Sequence, residues 1–260
     1  NQLPAPVFIT MHANPNVDFS TSTPEICFDD PAILNFNFIA GNPPFSIDYS
    51  INSNNQTPLT INGSGNQQYT ITPDPIVGLN SYDIINITDG NGCVGVPNPN
   101  NASILVNPTP DINITVSGTN PICQGQDSEL FFPVISGTPP FNVNYLAGGS
   151  PLTTNVDGSG NPTSGNPMII SPTSTTTYTL TSVTDAKGCV NSLSNSAILT
   201  VNEIPNVIVS GDTEICNQDQ TPLFFTFTSG TAPWTVNYNV ASSPGSVTLY
   251  NTNDTLMVDP

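Results

Sequence analysis

Along much of the chain, apolar and polar residues alternate with a period of two. Ile112-Asn113-Ile114-Thr115-Val116 is the plainest example, and such a run puts one face of an extended segment in a core and the other in water. Further strand-like runs follow at 130–135, 141–146, 167–170, 178–183 and 197–201. Between them lie Gly-Gly-Ser at 148–150, Asp-Gly-Ser-Gly-Asn-Pro at 157–162 and Ser-Pro-Thr at 171–173, clusters whose backbone preferences favour turns. Six or seven short strands in about 95 residues predict an all-β, immunoglobulin-like antiparallel β-sandwich. A helical bundle is excluded, because Ala, Leu, Lys, Glu and Arg are scarce while Pro, Asn and Thr are abundant.

The same pattern recurs along the chain. Cys27, Cys123 and Cys216 each follow an isoleucine, at spacings of 96 and 93 residues. Eighteen residues after them come Phe45, Phe141 and Trp234, and four further on Tyr49, Tyr145 and Tyr238. Thr88-Asp89-Gly90-Asn91-Gly92-Cys93 matches Thr184-Asp185-Ala186-Lys187-Gly188-Cys189. Several anchors at one offset identify a tandem array. Its repeats are read as 1–109, 110–204 and 205–260, the last holding only the front part of a repeat. Proline at 108, 110 and 205 marks the joins, and short proline-stiffened links predict a semi-rigid rod.

Composition narrows the chemistry. Of the 260 residues, one is Lys or Arg against 19 Asp and Glu, giving a formal charge of −18, so a nucleic-acid backbone would be repelled. No run approaches the roughly 18 apolar residues of a membrane-spanning helix, so no membrane insertion is expected in this segment. The single histidine, His12, stands in the opening stretch with no serine or cysteine motif around it, and no enzymatic activity is expected. Paired carboxylates can hydrolyse glycosides without histidine, but here the acids fall in turns or along strands.

Cys27 to Cys93 and Cys123 to Cys189 both span 66 residues. Equal spacing reads as one disulfide per repeat, in an oxidising, extracytoplasmic setting. Two cysteines without histidine do not make a zinc tetrahedron. Closing such a loop would stabilise a domain by about 4 kcal/mol, and both cysteines of each pair are expected at one end of their sandwich. Cys216 has no mate in this chain; the same spacing places one at about position 282 of a longer chain.

Other candidates carry two readings. Asp89, Asn91 and Asp185 present oxygens in tight turns, which suits either a calcium ion or a self-bonded turn. Phe45, Phe141 and Trp234 read as core anchors between sheets rather than as sugar-stacking platforms. Tyr82 and Tyr178 open a late strand, as a tyrosine corner does.

The stretch from Ser171 through Tyr178 and Asp185 to Cys189, followed by a strand ending Leu199-Thr200-Val201-Asn202-Glu203-Ile204-Pro205, resembles the immunoglobulin- or PKD-like repeats of giant Bacteroidetes surface proteins. The best-known group is the SprB-type gliding-motility adhesins, exported by type IX secretion. The resemblance covers the second repeat well and the first moderately, with Asn91 where the second has Lys187, and extends over the front of the third. It implies a cell-surface location and a long adhesive filament in attachment or gliding, in which these repeats act mainly as stalk. It further implies partners such as an external surface or polysaccharide and secretion or surface-anchoring proteins. O-glycosylation at Thr255, within Asp254-Thr255-Leu256, is implied by the same resemblance. The alternative is a spacer, or a set of glycan-binding repeats with loops such as 157–162, in a secreted polysaccharide-degrading enzyme.

Overall fold

The computed structural model describes residues 7–71, 76–95, 97, 99–212, 214–216, 219–240 and 243–259. The chain is all-β. In the first repeat the strands are β1 (Asn16–Thr21), β2 (Glu25–Cys27), β3 (Ala32–Ala40), β4 (Phe45–Ile51), β5 (Asn54–Asn55), β6 (Leu59–Ile61), β7 (Gly65–Ile71), β8 (Gly78–Thr88), β9 (Val94–Gly95) and β10 (Asn101–Asn107). They form one sheet in the order β1-β3-β7 and another in the order β2-β10-β8-β4-β5, with β6 beside β4 and β9 beside β8. The first strand region therefore splits. β1 joins one sheet antiparallel to β3, and β2 crosses to the other, where it runs parallel to β10. That split, with the remaining strands antiparallel in two sheets, is the immunoglobulin-like arrangement.

The second repeat contains β11 (Asp111–Ile112), β12 (Thr115–Val116), β13 (Ile122–Cys123), β14 (Ser128–Phe131), β15 (Val134–Ser136), β16 (Phe141–Ala147), β17 (Ser150–Val156), β18 (Met168–Ile170), β19 (Thr176–Thr184), β20 (Val190–Ser192), β21 (Ser196–Leu199) and β22 (Val201–Asn202). Its sheets follow the same logic: β12-β14-β18 on one side, β17-β16-β19-β20 on the other with β21 on β19, and a parallel pair β13-β22. The third has β23 (Asn206–Gly211), β24 (Thr221–Ser229), β25 (Trp234–Val240), β26 (Ser243–Leu249) and β27 (Asn253–Val258), paired as β23-β24-β27 and β25-β26.

Burial follows the alternation. In β3, Ala32, Leu34, Phe36 and Phe38 point inward and the residues between them do not; in β16 the inward set is Phe141, Val143 and Tyr145. Three hydrophobic clusters result, one spanning Val17 to Val106, one Ile112 to Leu199 and one Phe225 to Leu249. The hydrophobic effect drives each, at roughly 25 cal/mol per Å² of apolar surface removed from water.

By compactness the chain divides into two units. One holds residues 1–111 together with 135–139 and 184–191; the other holds 112–134, 140–183 and 192–260. The turn at 184–191, although it belongs to the second repeat in sequence, thus packs with the first.

Candidate functional site

The site is built from a turn and a strand end. Where β8 ends at Thr88, Asp89 closes the reversal: its Oδ1 accepts the N–H groups of Asn91 (3.0 Å) and Cys93 (2.9 Å), and its Oδ2 that of Asn42 (3.1 Å). Its own N–H donates to the Cys93 carbonyl at 3.0 Å. Asp185 does the same after β19, accepting from Lys187 (2.9 Å), Cys189 (3.0 Å) and Thr138 (3.0 Å), with its N–H on the Cys189 carbonyl at 3.0 Å. Gly92 and Gly188 both adopt φ of 80°, a left-handed conformation that glycine enters without a Cβ clash. The two turns therefore present Cys93 and Cys189 in the same way.

Asp89 and Asp185 are buried, and both oxygens of each face N–H donors. Burial acts to raise the pKa of Asp89, but the N–H groups of Asn42, Cys93 and Asn91 outweigh it and hold the carboxyl below its usual value. Backbone N–H groups take three of the roughly four acceptor positions of each carboxylate. The self-bonded turn accounts for both side chains, and Asn91 contributes its backbone N–H to it.

The other half of the site is the end of β2. Cys27 lies opposite Asn107 in the parallel ladder, and the Phe28 N–H continues that ladder to the Asn107 carbonyl at 2.9 Å. Cys27 is bonded to Cys189, with 5.5 Å between Cα atoms, inside the usual range for a disulfide. Two residues before each cysteine stands a charge: Lys187 Nζ lies 2.7 Å from Glu25 Oε1. Asn107 Nδ2 donates to the same oxygen at 3.0 Å. The Lys187 hydrogen bond first, then that from Asn107, hold the Glu25 carboxyl below its usual value. Asn191 Nδ2 donates to the Pro110 carbonyl (3.0 Å), and Ser136 Oγ to that of Thr109 (2.7 Å).

This pairing corrects the expectation of one disulfide within each repeat. Cys93, Cys123 and Cys216 are free thiols, and the reason is the length of a strand. Val106, one residue before the partner of Cys27, lies opposite Gly78 at the start of β8, whereas Cys93 follows the turn after its end. Ten residue steps at about 3.3 Å separate the two cysteines by about 33 Å, far beyond what a disulfide spans. In the second repeat, nine-residue β19 intervenes between Cys123, opposite Asn202, and Cys189. The cysteines of each repeat therefore sit at opposite ends of its sandwich, not at one end. The Glu25–Lys187 pair was not singled out from sequence, although the matching offset of the two charges from their cysteines was a readable signal.

Phe45 stacks on Phe38 with ring centroids 3.9 Å apart, and Trp234 on Phe227 at 4.1 Å; Phe141 is buried in the second core. All three lie inside rather than offering a ring face to solvent. Trp234 Nε1 has no hydrogen-bond partner among the described residues and borders an open groove of about 780 Å³ that includes Pro205, Val207 and Pro233. Thr255 is exposed on β27, its N–H bonded to Asp254 Oδ1 at 3.0 Å. His12 is exposed, and among the described residues no three His, Cys, Asp or Glu side chains gather as a metal site would need.

No family model matches the chain, and no curated protein matches it. Among solved structures it is similar to a marsupial T cell receptor, at TM-score 0.41 and 12% identity over 92% of this chain and 99% of that one. It is also similar to a 1.5-MDa bacterial ice-binding adhesin, at TM-score 0.37 and 11% identity over 96% and 88%. A third similarity is to the N-terminal eight immunoglobulin domains of Down syndrome cell adhesion molecule, at TM-score 0.30 and 12% identity over 94% and 41%. The fold itself rests on the strand order described above.

Proposed function

We propose that the chain is a segment of a long, extracellular, cell-surface adhesin of the SprB type, in which these repeats form a covalently stapled stalk for attachment or gliding. The observation that carries this reading is the Cys27–Cys189 bond, which joins the first repeat to the turn of the second. A bond placed there has a mechanical consequence. Tension applied at the two ends passes from Cys27 through the sulfurs to Cys189, and residues 28–188 are bypassed. Their hydrogen-bonded ladders then stay unloaded while the filament is pulled.

The formal charge of −18 fits the same role, since like-charged filaments repel one another and stay dispersed. On this reading the external surface or polysaccharide is engaged elsewhere along the filament or weakly by many repeats, and secretion and anchoring proteins act on other parts of it. Thr255, exposed beside Asp254, is the proposed O-glycosylation site.

Live-cell fluorescence with an antibody raised against the whole chain tests the proposal. Label in extended threads at the cell surface, travelling along the cell if gliding is involved, is the expected result. Label confined to the medium and co-fractionating with a polysaccharide hydrolase would overturn it.

A further inference from the structure

We infer that Cys93 is a docking half-site for another repeat of this kind, one that presents an isoleucine–cysteine strand end like Ile26-Cys27, and that disulfides in the array run head to tail between successive repeats. The inference rests on two matched geometries and one formed bond.

The first match is between turns. Around Cys93 and Cys189 the same aspartate bonds, the same aspartate-to-cysteine backbone pair and the same glycine conformation recur. The turn also docks alike on the preceding loop of its own repeat: Gly90 N–H donates to the Asn42 carbonyl at 2.8 Å, and Ala186 N–H to that of Thr138 at 2.9 Å.

The second match is between strand ends. Cys27 and Cys123 each close a short strand parallel to the last strand of their repeat, opposite Asn107 and Asn202. The next residue's N–H extends the ladder in both cases, Phe28 to Asn107 and Gln124 to Asn202, each at 2.9 Å. The carbonyls of Cys27, Cys123 and Cys216 each accept an N–H from three residues on, at 3.0, 3.0 and 3.1 Å.

One turn and one strand end of this set are bonded to each other, and they come from successive repeats. Within a repeat the two cannot meet, because a strand of 9 or 11 residues lies between them. The bond's own equivalents are therefore Cys93 with the strand-end cysteine of one further repeat, and Cys123 or Cys216 with turn cysteines of others. Cys123 and Cys216 are exposed, and Cys93 is half-buried, as thiols awaiting a partner would be. Asn91 replaces Lys187 beside Cys93, so this half-site lacks the ion pair, and recognition falls to the turn and the sulfur. Bond formation takes two protons and two electrons from the paired thiols; a small-molecule or protein disulfide receives them through thiol–disulfide exchange and leaves as two thiols.

This inference does not depend on the adhesive role, and its test is separate. The whole chain, concentrated in a glutathione redox buffer, is alkylated and digested without reduction, and its linked peptides are identified by mass. The expected product joins Cys93 of one copy to Cys216 or Cys123 of another, keeps Cys27–Cys189, and is lost in Cys93→Ser. Linkage of Cys93 to Cys27, equal yields of Cys93–Cys93 pairs, or a Cys93 that is only alkylated would overturn the inference. The same peptide map on the protein from its native cells identifies the source of the partner. A linked band that shifts on reduction indicates a second molecule, and one of unchanged mass a further repeat of the same polypeptide. A native Cys93 found alkylated without reduction would count against the inference as well.

Discussion

Asp89 holds its turn only while ionised, because its two oxygens accept three backbone N–H groups. Its folded pKa lies below the ordinary carboxylate value of about 3.9, so its contribution to stability is complete above that value and is lost as pH falls through the folded pKa. Asp89→Asn should therefore melt below the parent at pH 7, with the gap closing under acid conditions; a gap independent of pH would assign Asp89 a packing role alone. The cysteines allow a sharper test. In Cys189→Ser, Cys27 should be recovered as a free thiol by alkylation and mass measurement, since Cys93 lies about a strand length away. A Cys27–Cys93 bond in that variant would show that the two ends of the first repeat can meet. The residue pattern of both turns was legible in the sequence, whereas the three backbone N–H groups that each aspartate accepts are visible only in the fold.

At the scale of elements, strand alternation was sufficient to read the sandwich. β3, β8, β16 and β19 all bury every second residue over most of their length. The crossing of the first strand region from one sheet to the other was not legible. Asn16–Thr21 and Glu25–Cys27 are too short and too similar in pattern to declare different partners. That crossing decides where Cys27 ends up: beside β10, at the end of the sandwich remote from Cys93. A protease site inserted between Pro99 and Asn100, both exposed and both lying between Cys93 and Cys123, distinguishes the pairings. With Cys27–Cys189 the cut halves stay together on a non-reducing gel and part on reduction. With one bond inside each repeat they would part without reductant.

For the whole molecule, the disulfide closes a loop with a sequence separation of 162, worth about 5 kcal/mol in the loop-entropy model. In single-molecule pulling, reduction should release one added contour length of about 55 nm, at about 3.4 Å per residue. Two separate gains of about 22 nm would instead indicate two 66-residue loops, at the same length per residue. By itself, the sequence determined the repeat, the all-β sandwich and the acidic, histidine-poor chemistry, because periodicity, anchor spacing and charge are local properties that survive reading along a line. Which cysteines meet was decided only by the tertiary structure. Equal spacing in sequence implies nothing about distance when a full-length strand carries the second cysteine to the opposite end. Contact between Cys27 and Cys189 instead depends on the 184–191 turn packing with the first repeat.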